Sequence, residues 1–407
     1  MTPEIKQRIA RLNNGEVPNG YEKTEFGIFP CDWVKDKTFG DLFDFYGGLG
    51  KSRDELGDEG HAYLHYGDLH RGVFNVVSHE QYEQRPKYDV TLKGNETYLM
   101  EDGDVAFLDA SEDLEGTSRA VLIDNPNNEP FIAGLHIIYG KSKSESLDKW
   151  YKQYITTPES VKKQFQRLSV GFKVYGLNRE TLPKIQLSYP SSIDEQSKIA
   201  EILMKWDEAI ELQEQYIALV ETRKKVLMRK LLTPQEDWKY VLLGDICEIK
   251  TGRLDANAME EDGAYPFFTC SKEVYKINQY SFECEALLMA GNGDIGDVKY
   301  YNGKFDAYQR TYVLSKFSFD IHYVMQYLLQ NFDRDVMKGM QKSSMPYIKL
   351  DLLKNARIHY KSADIQNTVK ILSIVDAEIT LCNKKLEQLK KQRKTLQQYL
   401  LNGIVRV

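Results

Sequence analysis

Residues 192–232 read SIDEQSKIAEILMKWDEAIELQEQYIALVETRKKVLMRKLL and hold neither proline nor glycine. Ile199, Leu203, Trp206, Ile210, Gln213, Ile217, Val220, Lys224, Leu227 and Leu231 step alternately by four and three, and eight of these ten are apolar. That is the narrow seam of a coiled coil rather than the wider stripe of a core helix. At 1.5 Å per residue the helix would run ~60 Å. It should stop near Thr233-Pro234, because proline cannot continue a helix. A helix of this length in mid-chain needs a partner, and residues 364–401 supply one. Their seam is Ile379, Cys382, Leu386, Leu389, Arg393, Leu396 and Leu400. Subtracting 169 maps these onto Ile210, Gln213, Ile217, Val220, Lys224, Leu227 and Leu231, so even the basic interruption recurs, Lys224 against Arg393.

The rest of the chain is duplicated with the helices. Trp33…Gly40-Asp41-Leu42 matches Trp238…Gly244-Asp245-Ile246, and Phe45-Tyr46-Gly47-Gly48 matches Ile249-Lys250-Thr251-Gly252. Each copy then alternates β-rich runs with turn signals: AYLHYGDL, DVAFLDA, RAVLID and FIAGLHIIYG, then AYPFFTC, EALLMAG, VKYYNG and YQRTYVLS. Each closes on a short helical stretch, residues 148–167 or 322–337, before a loop, a strand and the long helix. Residues 3–14 form a further short helix ended by Gly15 and Pro18. From Trp33 to Asp207 is 174 residues and from Trp238 to Asp376 is 138, so the first globular copy is the longer one. The expected fold is α+β: two mixed α/β domains separated by two long antiparallel coiled-coil helices, with pseudo-two-fold internal duplication. The expected divisions are 1–190, 191–233, 234–362 and 363–407.

Composition bounds the function. A chain of 407 residues exceeds one core. No apolar run reaches membrane-spanning length, and the charged start MTPEIKQRIARLNNGE does not read as a signal peptide. Five cysteines without a CxxC pair read as thiols of a reducing cytoplasm. The net charge of −6 does not favour a nucleic-acid binder, although local basic patches matter more than the sum.

Several stretches invite a catalytic reading and fail it. Gly47-Gly48-Leu49-Gly50-Lys51-Ser52 ends like a phosphate-binding loop, but the leading position is Phe45 rather than glycine. His61, His65 and His70 sit on a stretch read as a strand, which puts His70 on the opposite face from the other two, and nothing completes a zinc set. Asp124-Asn125-Pro126-Asn127 is an incomplete match to an amino-methyltransferase motif. Glu101, Asp102 and Asp104 cluster at a turn, where solvation explains them better than a nuclease centre does. The chain therefore reads as binding and positioning, with no catalytic residue, no metal ligand and no cofactor of its own. Loop residues suited to base edges and phosphates are Lys51, Arg53, Arg71, Arg119, Ser169 and Lys173 in the first copy. In the second they are Arg253, Asn292, Gln309, Arg310, Lys342, Ser343 and Ser344. Two such domains on a rigid spacer could read two half-sites of double-stranded DNA about one helical turn, ~34 Å, apart.

The layout resembles the specificity subunits of type I restriction–modification systems. The matching residues are Gly20-Tyr21…Gly27-Ile28-Phe29-Pro30…Trp33, the Gly40 and Gly244 starts, and Leu182-Pro183-Lys184-Ile185…Tyr189-Pro190…Asp194-Glu195-Gln196-Ser197-Lys198-Ile199-Ala200. The second copy gives Leu353-Lys354…Ile358…Tyr360…Asp364-Ile365-Gln366, with Lys361 where the first has Pro190. The resemblance implies two target-recognition domains, a bipartite DNA target and a helical ruler between half-sites. It further implies two methylation subunits carrying S-adenosylmethionine, and two restriction subunits using ATP and Mg, all in the cytoplasm. Lys224-Lys225, Arg229-Lys230, Lys384-Lys385 and Lys390-Lys391 become candidates for partner contacts. A coiled-coil scaffold whose globular ends bind proteins is the reading from another class.

Overall fold

A computed structural model describes residues 2–70, 75–78, 81–82, 85–111, 116–169, 175–335 and 347–407. The chain forms two compact units, Met1–Glu211 with Glu387–Val407, and Leu212–Leu386. Each long helix contributes one stretch to each unit.

The first long helix is Ile193–Leu232 and the second Ile365–Leu401. The first starts where the Ser192 hydroxyl accepts from the Glu195 amide, with Asp194 and Glu195 in the positive first turn. Arg229 and Lys230 sit in its negative last turn, ahead of Pro234. Within each unit the two helices run antiparallel. In unit 2 the Gln213 amide donates to the Cys382 carbonyl at 3.3 Å, and Ile217, Val220 and Leu386 are buried. In unit 1 Ile199, Leu203 and Leu400 are fully buried in one cluster. Leu396 packs against that cluster, while Leu227 and Leu231 pack against the globular core of unit 2.

The basic seam positions are paired with the opposite helix. Arg393 grips Asp207 with two bonds of 2.8 and 3.0 Å, and the Tyr154 hydroxyl donates to the same carboxylate. In unit 2 Lys224 meets Asp376 at 2.6 Å, and the Gln326 amide donates to that carboxylate. The two arrangements correspond residue for residue along the helices.

The globular part of unit 1 holds a five-stranded sheet in the order Phe43–Gly47, Ile137–Ser142, Val105–Leu108, Ala120–Asp124, Val76–Ser78. All neighbours are antiparallel except the last pair. Val105 and Phe107 enter one core and Ala106 and Leu108 the other. A strand covered on both faces must be apolar at successive positions, which is why this one reads as a continuous run. Unit 2 repeats the arrangement with Glu248–Thr251, Thr311–Ser315, Phe282–Ala290, Val298–Ala307, Tyr265–Phe268 and Val274–Ile277. There Leu287 and Met289 face one core, Ala286 and Leu288 the other.

The ten-residue strand Val298–Ala307 has two shorter equivalents in unit 1, Ala120–Asp124 and Phe131–Ala133. Asn125 breaks them apart. Its buried amide donates to the Met100 and Glu129 carbonyls while its oxygen accepts from the Glu129 amide. The incomplete motif at 124–127 is thus a turn. His61–Leu64 and Lys87–Tyr88 join Phe131–Ala133 in a three-stranded sheet. The strand in AYLHYGDL ends at Leu64, earlier than the run suggested, because the Asp68 carboxylate accepts from the His65 amide and starts a helical turn, Tyr66–His70.

Each unit also has a two-strand ribbon leading into its long helix: Val34–Thr38 with Gln186–Tyr189, and Lys239–Leu242 with Arg357–Tyr360. Asp148 and Asp320 play equal parts before the short helical stretches, accepting from the Tyr151 and Tyr323 amides. The helix-start glutamines meet them, Gln196 at the Asp148 amide and Gln366 at the Asp320 carboxylate. The stretch expected as one helix over 148–167 is a short 3-10 turn, Tyr151–Tyr154, and a helix, Glu159–Leu168.

Candidate nucleic-acid interface

In unit 2 the turn Tyr308–Thr311 sits at the head of the strand Thr311–Ser315. The Thr311 amide closes it on the Tyr308 carbonyl. Two other segments are sewn to this turn. The Gln309 amide donates to the Leu254 carbonyl at 2.9 Å, and the Gly291 amide to the Arg310 carbonyl at 2.9 Å. Gly252 lets the loop come this close: a Cβ there would lie 1.8 Å from the Ala307 carbonyl oxygen. The side chain of Gln309 is itself held, donating to Asp255 at 2.8 Å. Arg253, Asn292, Gln309 and Arg310 are therefore gathered on one hydrogen-bonded platform. Beside it opens a cleft of about 290 Å³ lined by Thr251, Gly291, Gln309, Arg310, Tyr312 and Tyr347 among others. Tyr347 is 56% exposed, whereas Tyr312 is buried with its hydroxyl donating to the Ile348 carbonyl.

Unit 1 carries the same platform. Leu49 bridges Gly134 as Leu254 bridges Tyr308, both in parallel sense. The Ile137 amide closes the turn on Gly134, and the Asp109 amide donates to the His136 carbonyl, as Gly291 does to Arg310. A Cβ on Gly48 would likewise lie 1.8 Å from a carbonyl oxygen, that of Gly134. The buried Tyr63 hydroxyl fastens the assembly, donating to the Leu49 carbonyl at 2.7 Å and accepting from the Leu135 amide at 3.0 Å. Lys51 and Arg53 follow on the sewn loop. Lys51 lies over the Tyr88 ring and bonds Glu55 at 2.9 Å, and hydrogen bonding to the Tyr88 side chain and then to Glu55 pushes its pKa up. Ser52 caps a single 3-10 turn, Arg53–Glu55, where a phosphate-binding loop would lead into a helix.

Arg119 and Ser169 belong to another part of unit 1. Arg119 follows the turn Gly116–Ser118, which packs on the helix Glu159–Leu168, and the Ser169 hydroxyl closes that helix on the Phe165 carbonyl. Arg71, Lys173, Lys342, Ser343 and Ser344 lie outside the described residues.

The acidic cluster is structural. Asp104 accepts from the Glu101 amide, Asp102 from the Asn125 amide and from Lys149, and Glu101 pairs with Lys141. The His65 Nδ1 accepts from the Gly67 amide, and burial holds its pKa down. Among the described residues no group of histidines, cysteines and carboxylates is arranged to hold a metal, and no helix is long and apolar enough to cross a membrane.

Two features escaped sequence reasoning. One is the pair Leu135-His136, which aligns with Gln309-Arg310 once Gly134-Leu135-His136-Ile137 is laid on Tyr308-Gln309-Arg310-Thr311. The other is an apolar stripe on the outer helix surface of unit 2. Leu212, Leu219 and Val226 are exposed at seven-residue spacing, with Tyr216 between, and Ile374 and Leu381 are exposed on the second helix. Lys225, Arg229, Lys230, Lys384, Lys385 and Lys391 are exposed nearby in sequence, whereas Lys224 is spent on Asp376 and Lys390 lines a cleft of unit 1.

Comparison with known proteins agrees with this duplicated construction. Residues 30–222 and 235–391 both match the type I restriction modification DNA specificity domain. The chain belongs to that family. Among relatives, the EcoDI specificity subunit of Escherichia coli is 36% identical over 172 residues, which cover 41% of this chain and 38% of that protein. The MjaVIII specificity subunit of Methanocaldococcus jannaschii is 22% identical over 371 residues, 78% of this chain and 81% of that one. Among solved structures, the S subunit of a type I system from M. genitalium superposes with a TM-score of 0.57 at 17% identity, covering 95% of this chain and 97% of the other. A chain solved in work on assembly and conformational transition of the type I system gives 0.56 at 13% identity, covering 96% and 100%. At these identities the structures establish the fold alone.

Proposed function

We propose that this chain is the DNA-specificity subunit of a type I restriction–modification complex, reading a bipartite target in double-stranded DNA without catalysing any step. The observation that carries the reading is the twofold occurrence of one sewn platform, each within a segment matching the family and each placing polar or charged side chains around a hydrogen-bonded turn. Base edges are read by amide, guanidinium and imidazole groups held in place, and phosphates by the lysines and arginines around them. In unit 2 Gln309 and Arg310 are the readers, with Arg253 and Asn292 flanking. In unit 1 Lys51 and Arg53 are the corresponding cationic side chains, and Arg119 is a phosphate contact away from the platform. The helices set the gap between half-sites. The target-recognition domains are residues 1–190 and 234–362.

Catalysis belongs to partners in this reading. Two methylation subunits bring S-adenosylmethionine, and two restriction subunits bring ATP and Mg. The stripe of Leu212, Leu219 and Val226 supports a helical partner surface, because exposed leucines at heptad spacing are ordinarily covered. The complex works in the cytoplasm, where chromosomal DNA is. A protein-binding scaffold would not need the same sewn turn twice.

The test is to express the chain with the methyltransferase subunit of its complex in a host lacking DNA methylation, and to sequence the methylome. The expected result is one motif of two short halves around a fixed gap, absent when either polypeptide is expressed alone. A methylating complex with no bipartite motif would overturn the reading.

A further inference from the structure

We infer that Leu135 and His136 are the base-reading pair of unit 1, that they read an A·T base pair, and that Asp109 is the positioning residue for His136. The inference rests on the function proposed above and assigns residues within it. It starts from equivalence. The turn Gly134–Ile137 and the turn Tyr308–Thr311 share a parallel bridge, a closing amide and an amide donated to the third residue of the turn, so His136 occupies the place of Arg310 and Leu135 that of Gln309.

The chemistry at this place is explicit. His136 holds a positive φ of 66°, uncommon for a residue with a Cβ, and the bonds around it maintain that conformation. Its Nδ1 lies 2.9 Å from the Asp109 carboxylate, and about half of the side chain is exposed. A carboxylate accepts only, so Nδ1 carries the hydrogen, and in the neutral form of the ring Nε2 is then the acceptor. Tyr66 stands edge-on to the ring at 5.9 Å and limits its tilt. Leu135 is 46% exposed beside it, with its amide fixed by the Tyr63 hydroxyl. An acceptor next to an exposed methyl-bearing side chain complements one major-groove pattern. Adenine presents the N6 amino donor and its thymine the C5-methyl group. A G·C pair also presents a donor, the cytosine N4 amino group, but no methyl group, so the contact of Leu135 with the thymine methyl is what tells the two pairs apart.

The test uses the complex with its methylation subunit and synthetic duplexes carrying the motif that the wild-type complex methylates. Each base pair of each half-site is replaced in turn, and thymines are replaced by uracil. In His136→Ala, discrimination at one A·T pair of one half-site should fall by about ten-fold or more, with the other half unchanged. Arg310→Ala should relax only the other half. Uracil at that pair should weaken the wild type and leave Leu135→Ala indifferent. Asp109→Asn, which keeps an acceptor for Nδ1–H, should retain the preference that Asp109→Ala loses. Unchanged discrimination in His136→Ala, a uniform loss at all positions, or an effect confined to a G·C pair would each overturn the assignment. A wild-type complex that methylates no bipartite motif would fell the parent reading instead.

Discussion

Asp104 is buried just ahead of the strand Val105–Leu108, with its carboxyl pushed up to about 7 by burial. The folded chain holds this proton at pH values where the unfolded chain has released it, so the group's contribution to stability falls as pH rises from the ordinary carboxylate range through about 7. The urea midpoint of the wild type should therefore drop between pH 5 and pH 8 relative to that of Asp104→Asn, which removes the titration. Equal slopes for the two proteins would show that the carboxyl is not held protonated. At the same scale, Asp207→Ala leaves the Arg393 guanidinium half-buried without its carboxylate and frees the Tyr154 hydroxyl. About 1–3 kcal/mol of stability should be lost, and a double-mutant cycle with Arg393→Met should recover part of it. Single residues were the hardest level to read from sequence. Lys224 and Arg393 stood out as interruptions of an apolar seam, yet nothing in the pattern named Asp376 and Asp207 as their partners. His136 was hidden inside a run of β-formers, since nothing local announces that His136 turns left-handed and separates two strands.

Among the elements, the long helices were fully legible, because a seam of period 3.5 is a local pattern that needs no knowledge of what it packs against. The central strands were legible for a similar reason, being apolar at successive positions. Edge strands such as Lys87–Tyr88 and Val274–Ile277 were not, because they are short, partly exposed and specified by their neighbours more than by their own residues. The helices also carry two faces that behave differently. Val220→Asp should cost unit 2 at least about 2 kcal/mol, through lost burial and a stranded charge. Leu219→Asp, one residue away but exposed, should leave stability within about 0.5 kcal/mol and abolish co-purification with the methylation subunit. Stability unaffected by Val220→Asp would mean that the seam does not hold the helices together. Normal co-purification of Leu219→Asp would place the partner elsewhere.

For the whole chain, duplication makes function modular. Exchanging residues 240–360 for those of a relative with a different target should change one half of the methylated motif and leave the other half and the gap alone. Simultaneous change in both halves would show that the two readers are not independent. The duplication itself was visible in sequence from the spacing of the seams and the Gly-Asp-Leu/Ile starts, whereas the platform it repeats required backbone hydrogen bonds that no side-chain pattern encodes. If the helices set the gap as proposed, the paired charges inside the seam constrain how it can vary. If the helices slid past one another by part of a turn, Lys224 would leave Asp376 and Arg393 would leave Asp207, stranding four charges at once. The seam therefore behaves like a ratchet with teeth, and intermediate settings are penalised. Inserting a full heptad into both helices, ~10 Å of rise, re-engages every tooth at a gap longer by roughly three base pairs at 3.4 Å each. Lineages descended from such a chain should accordingly show gap lengths in discrete steps, with half-site sequences drifting freely between them.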